Sequence, residues 1–167
     1  MEKIIKYEDI IKKYLSTYNI VVEKRTKRNT GSAQIDGSRK IKIPFATDEI
    51  SFIVCLHEIG HVVTNAPKCQ NWLAEYQATK FVFDECRSLK IELSELVINS
   101  CVNYLRYSII KAIRRRLVFQ SLPDNVLDIA CINRSYWNRQ LSKGKKPDII
   151  GASGYFEAWG LCKLVWK

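Results

Sequence analysis

At 167 residues and 19.4 kDa the chain has the length of one domain with a substantial hydrophobic core, and a hydrophobic content of 47% fits a globular protein. Its 27 basic residues exceed the 17 acidic ones, giving a formal charge of +10 and a pI near 9.4, which suits acidic partners such as nucleic acid or simply a basic, solvated surface. No apolar run approaches membrane-spanning length, and Met1 to Lys6 intersperses charges without an apolar signal region, which speaks against both a membrane span and export.

In chain order, Ile4, Ile5, Tyr7, Ile10, Ile11, Tyr14, Leu15 and Tyr18 recur at helical intervals among lysines and acids and predict an amphipathic first helix. Asn19 to Glu23 is short and β-branched. Ser32 to Ile35 then meets Arg39 to Ile43 across Asp36-Gly37, a dipeptide that favours tight hairpin turns, so a small antiparallel sheet is expected. Its last strand alternates Lys40, Ile41, Lys42 and Ile43 and stops at Pro44, as suits an edge strand beside a site entrance.

Thr47 or Asp48 can cap the next helix, and Pro67 ends it just beyond Asn65. Phe52, Leu56, Ile59 and Val63 form one stripe along it, while Val54 and Val62 make it apolar nearly all round, as in a buried helix. Gly60 would let a neighbouring backbone come close, at a cost of about 1 kcal/mol against alanine. A second long helix is expected from Asn71 to about Lys90 and a third from Ser94 to Leu117, with Ile98, Val102, Leu105, Ile109 and Ile113 inward. Asn125 to Ile132 suits either strand or helix, Ser135 to Leu141 a short helix, and Ser142 to Pro147 a loop. The aromatic-rich stretch Tyr155 to Trp166 is expected to pack back onto the core. The expected fold class is α+β, with an N-terminal helix and small antiparallel sheet followed by a mainly helical body, in a single domain over residues 1–167 whose segment 123–167 is unassigned.

The chemistry concentrates in His57-Glu58-Ile59-Gly60-His61, which contains both histidines of the chain. Positions four apart share one face of a helix, so His57 and His61 can hold one ion together, and Glu58 flanks it as general base toward a water, the role the HExxH pattern assigns. A catalytic zinc site usually takes three protein ligands, and without another histidine the third must be a carboxylate or a thiolate. Glu75 is the candidate. At about 100° per residue it shares an apolar arc with Ala78, Val82, Cys86 and Leu89, while Lys80, Asp84 and Arg87 take the solvent side. A carboxylate on a buried arc must be paired or metal-bound. The alternative is an ion pair with a lysine or arginine.

The segment Phe52 to His61 (FIVCLHEIGH), followed by Glu75 to Phe81 (EYQATKF), resembles the ImmA/IrrE family of bacterial and phage metallopeptidases. In that family HExxH is followed by a helix carrying ExxA(N/D)xFA, whose first glutamate is the third ligand, and that glutamate maps onto Glu75. The resemblance spans roughly residues 20 to 90 and implies a zincin-like fold, a zinc ion (Zn2+) held by His57, His61 and Glu75, and Glu58 as the catalytic base. Thr79 departs from the pattern, standing where the family usually has Asn or Asp, and Val82-Phe83-Asp84-Glu85 replaces its small-residue continuation. The resemblance also implies an intracellular protein substrate, such as a repressor or other DNA-bound regulator.

Three further expectations concern substrate and location. Tyr76, Tyr104 and Tyr107 are candidate donors to the oxyanion, against the ordinary reading of aromatic packing residues. An extended peptide could add to the edge at Arg39 to Ile43, with Ile41 and Ile43 lining it. Lys24, Arg25, Lys27 and Arg28, then Arg114 to Arg116, then Lys143, Lys145 and Lys146 could track phosphates, although basic residues at a helix end also serve its dipole; nucleic acid is thus a possible but not favoured partner. Six cysteines without a CxxC pair read as reduced thiols, consistent with a cytoplasmic protein.

Overall fold

The computed structural model describes residues 7–34, 36–65, 71–115 and 121–144. Among them the chain is α+β, with helices α1 (Tyr7–Thr17), α2 (Glu49–Thr64), α3 (Asn71–Ser88), α4 (Glu95–Arg114), α5 (Asp124–Ile129) and α6 (Arg134–Ser142), and strands β1 (Val21–Arg25), β2 (Ser32–Ala33) and β3 (Lys40–Ile43). No described helix is long and apolar enough to cross a membrane. The chain divides into two compact units, Met1–Ile98 and Asn99–Lys167.

In the first unit α2 is the central element, packed against α1, α3, β2 and β3. Asp48 starts it with a capping box, accepting from the Ser51 backbone while the Ser51 hydroxyl serves the Asp48 backbone, and Asn65 ends it in the left-handed conformation. Phe52, Leu56 and Ile59 have no exposed surface, as the stripe predicts. Beside this stripe, one turn beyond Leu56, Gly60 meets α3: a Cβ there would lie 3.1 Å from Ala78 Cα and 3.2 Å from the Ala78 carbonyl oxygen. The glycine is therefore what lets the two helices approach closely, as expected. Tyr14 of α1 donates to Glu85 of α3, and the Tyr14 and Tyr18 rings meet Phe81 edge-on.

The sheet corrects two expectations. It is mixed rather than antiparallel, because β1 runs parallel to β3 while β2 pairs antiparallel with it. Its order is β1-β3-β2, so β3 is the central strand and Ile41 and Ile43 are not on an edge. Both isoleucines are buried, with β3 packed against α2, and cannot line a docked peptide. The alternation of lysine and isoleucine reports the two faces of the strand, not its neighbours in the sheet. Beyond β3, the Pro44 carbonyl accepts from Arg25 Nη1 at 2.7 Å, and the same guanidinium reaches Glu8 Oε1 at 2.7 Å, tying β1, α1 and the run into α2 together. On α3 the predicted apolar arc holds through Cys86, but Leu89 is 38% exposed, because the helix ends at Ser88 and Lys90 turns left-handed.

In the second unit most of the stretch Asn125 to Ile132 is helical, within α5, which ends at Ile129, and α6 covers the second predicted short helix. Val102, Leu105, Ile109, Val126, Leu127 and Trp137 are buried there. Arg106 donates to the carbonyls of Ala130 at 2.6 Å and Cys131 at 2.8 Å, placing a cation at the C-terminal end of α5. Cys55, Cys86 and Cys101 are free thiols, whereas Cys131 is disulfide-bonded, contrary to the reading of all six as reduced. The expected packing of Tyr155 to Trp166, and Arg116, Lys145 and Lys146 of the basic clusters, lie outside the described residues.

Candidate metal centre

Four turns of α2 carry His57 and His61 on one face, one turn apart, and the close crossing at Gly60 brings α3 over them. Glu75 lies near the start of α3, on the same arc as Ala78, the residue that Gly60 meets. Its Oε2 stands 2.9 Å from His57 Nε2 and 3.5 Å from His61 Nε2. The two imidazoles are nearly perpendicular, at 89°, with ring centroids 4.7 Å apart. Two ring nitrogens and one carboxylate oxygen thus converge within 4.8 Å of one another.

The donor set fits a metal ion. Zinc takes His nitrogen and carboxylate oxygen at about 2.0–2.2 Å, and tetrahedral angles then separate neighbouring ligand atoms by about 3.3 Å. The two measured contacts to Glu75 bracket that spacing. His57, His61 and Glu75 are the one such group among the described residues. The thiolate option loses support at Cys55, whose sulfur points to the Pro44 carbonyl at 3.4 Å and whose pKa burial pushes up to about 12. The alternative of a lysine or arginine partner for Glu75 is likewise not what is found, since its ionic contacts are the two histidines.

Electrostatics set the groups apart. Burial lowers the pKa of His57, opposed by its hydrogen bond to Glu75, which favours the neutral imidazole that a metal needs. Burial alone would raise Glu75, but hydrogen bonds from His57 and His61 outweigh it and hold the carboxyl at about 2. Glu58 goes the other way. It is 8% exposed, and burial pushes it up to about 7, partly offset by His61. No hydrogen bond is made by its carboxylate among the described residues, so α3 contributes an acid that is paired with the histidines while α2 carries, beside its own histidines, one that is not.

A scan of family models, a search of curated proteins and a search of solved structures match nothing to this chain. The site's geometry therefore carries the functional argument.

The supporting groups are partly as expected. Thr79 is buried and its Oγ1 has no hydrogen-bond partner among the described residues, and the same is true of His61 Nδ1. No described residue gives His61 Nδ1 the polar support that the second nitrogen of a metal-binding imidazole usually receives. Tyr76 is buried next to Glu75 in sequence, but successive helical side chains diverge by about 100°, so adjacency does not aim it at the same point. Tyr104 and Tyr107 belong to the second unit and are 52% and 46% exposed, with Lys111 Nζ 5.9 Å from the Tyr107 ring. Sequence reasoning passed over Gly31. A Cβ at that position would lie 2.5 Å from Glu58 Cγ, so the chain just before β2 presses on the candidate base. No sequence signal marks that contact, because a glycine next to serine reads as loop.

Proposed function

We propose that this chain is a zinc-dependent metallopeptidase, zincin-like and similar to the ImmA/IrrE family, that hydrolyses peptide bonds of an intracellular protein substrate such as a repressor or other DNA-bound regulator. The observation that carries this reading is the convergence of His57, His61 and Glu75 with a buried, unpaired carboxylate, Glu58, on the next position of the same helix. A metal site alone has no use for Glu58. Burying a carboxylate without donors costs several kcal/mol in principle, and such a group beside a ligand set points to proton transfer. Two histidines and a carboxylate also serve iron in non-haem oxygenases, and the HExxH spacing with its adjacent acid favours hydrolysis.

His57 and His61 would hold the ion through Nε2 and Glu75 through its carboxylate. A zinc ion so held supplies Lewis acidity, lowering the pKa of water and polarising a carbonyl. Glu58 removes a proton from the attacking water and returns it to the leaving amine. Because β3 is central, the strand beside Glu58 whose outer edge is unpaired among the described residues is β2, and an extended substrate lies best along it. Gln34 donates to the Lys40 carbonyl, and Ser32 pairs with Lys42 in the same alternation, so Ala33 directs its N–H and C=O away from β3.

Metal analysis of the wild type beside Glu75→Ala, read together with proteolysis by Glu58→Gln, tests the reading. One zinc per chain, lost in Glu75→Ala, and cleavage reduced by about 10²–10⁴-fold in Glu58→Gln are expected. Full zinc occupancy without Glu75 would remove the ligand assignment. A wild type that binds zinc and cleaves nothing leaves a metal-binding regulatory module in its place.

A further inference from the structure

We propose that Gly31 is the positioning residue for Glu58, a backbone wall that sets where the carboxylate can stand; this rests on the peptidase reading for its consequence in catalysis. A Cβ at position 31 would approach Glu58 Cγ to 2.5 Å, Oε1 to 2.8 Å and Cδ to 2.9 Å. All three contacts are with one side chain. Real Cβ atoms do not come this close, so any residue other than glycine forces a displacement.

The backbone at Gly31 is not the part that can yield. The preceding turn is closed by Thr26, whose N–H donates to the Ile43 carbonyl at 3.0 Å and whose hydroxyl lies 2.9 Å from the Arg28 carbonyl and 2.8 Å from that of Thr30. Thr30 N–H bonds back to the Arg28 carbonyl at 2.7 Å. On the other side Ser32 is already paired with Lys42 in the sheet. Gly31 is thus held from both directions. Glu58 is held by much less. Its carboxylate accepts no hydrogen bond among the described residues, and the contacted atoms lie toward the free end of a flexible side chain. An added methyl group at 31 therefore moves the carboxylate and leaves α2, α3 and the ligand set where they are. Stability should change little, whereas proton transfer depends on placement to a fraction of an ångström.

The test compares zinc-loaded wild type with Gly31→Ala, each alone and with Glu58→Gln. The substrate is a fluorogenic peptide chosen from a random-sequence library as cleaved by the wild type. Expected for Gly31→Ala are unchanged zinc stoichiometry and Tm, KM within about twofold, and kcat reduced by about 10- to 100-fold. Its crystal structure should show the Glu58 carboxylate displaced by about 1 Å, and Gly31→Ala should cause no further loss in the Glu58→Gln background. An unmoved carboxylate, an undiminished kcat, or an equal loss with Glu58→Gln present would overturn the proposal. So would loss of zinc or of fold, which assigns Gly31 a merely structural part. A zinc-bound wild type that cleaves no library peptide counts against the peptidase reading alone, and the displacement seen in the Gly31→Ala structure then decides the positioning by itself.

Discussion

The two sides of the candidate centre are built on opposite principles. Toward α3 the contact is backbone against helix, at Gly60 and Ala78, and it delivers a carboxylate that is hydrogen-bonded to His57 and lies 3.5 Å from His61 Nε2. Toward β2 the contact is backbone against a side chain, at Gly31 and Glu58, and the carboxylate there has no donor among the described residues. One side satisfies its charge and is rigid. The other keeps a charge unsatisfied and confines it sterically. Ligands that hold an ion need the first arrangement, and a base that must take up and release a proton needs the second.

The comparison can be broken most severely at Glu75. Its replacement by alanine should weaken zinc binding by more than about 100-fold, since even removing groups that only support a ligand costs 10- to 100-fold; competition with a chromophoric chelator measures it. A smaller loss would mean that α3 does not complete the site.

Glu58→Gln sharpens the opposite side through stability. Burial raises the folded pKa of Glu58 from 4.5 to about 7, so its favourable contribution is complete below about pH 4.5 and is lost as pH rises through about 7. The neutral amide escapes that penalty. Metal-free Glu58→Gln should therefore be more stable than wild type at pH 8, by about 2–3 kcal/mol at most, with the difference vanishing near pH 4 in denaturant titrations. Equal stability at pH 8 would show that the carboxylate is satisfied after all.

Gly60→Ala comes next in size. Helix propensity favours alanine by about 1 kcal/mol, but the new Cβ meets the backbone of Ala78, which cannot rotate aside, and overpacking costs about 1–3 kcal/mol. A net destabilisation of about 1 kcal/mol, accompanied by weaker zinc binding as α3 is pushed away, is expected from chemical denaturation and metal titration. The contrast with Gly31→Ala, in which zinc binding is kept, is the point of the pair. The smallest effect is at the β2 edge. Ala33→Pro removes an outward N–H and spares the ladder bonds of Ser32 and Gln34, so KM should rise about three- to tenfold, the worth of one hydrogen bond, with kcat retained. An unchanged KM would place the substrate elsewhere.

Much of the centre was legible before any coordinates. Helical spacing puts His57 and His61 on one face, and the misfit of Glu75 on an apolar arc exposes it as a group with a partner; the structure joins all three. Local backbone chemistry narrows the cap to Thr47 or Asp48 and the end of the helix to the vicinity of Asn65; Asp48 is the cap found, and Asn65 closes the helix. The strand order was not legible. Lys40 to Ile43 alternates because one face packs against the interior, and that pattern is the same for a central strand as for an edge. Which strand flanks which depends on backbone N–H and C=O groups that every residue shares, and the parallel pairing of β1 with β3 is made across a separation that no local pattern reports.

The sequence by itself marked the candidate ligands, because coordination needs particular side chains at helical intervals and the chain offers only two histidines, with Glu75 misplaced on an apolar arc. Tertiary structure alone decided what confines Glu58 and which edge is free. Those depend on close approach between segments distant in the chain, as at Gly31, and a residue with no side chain announces nothing about what it will touch.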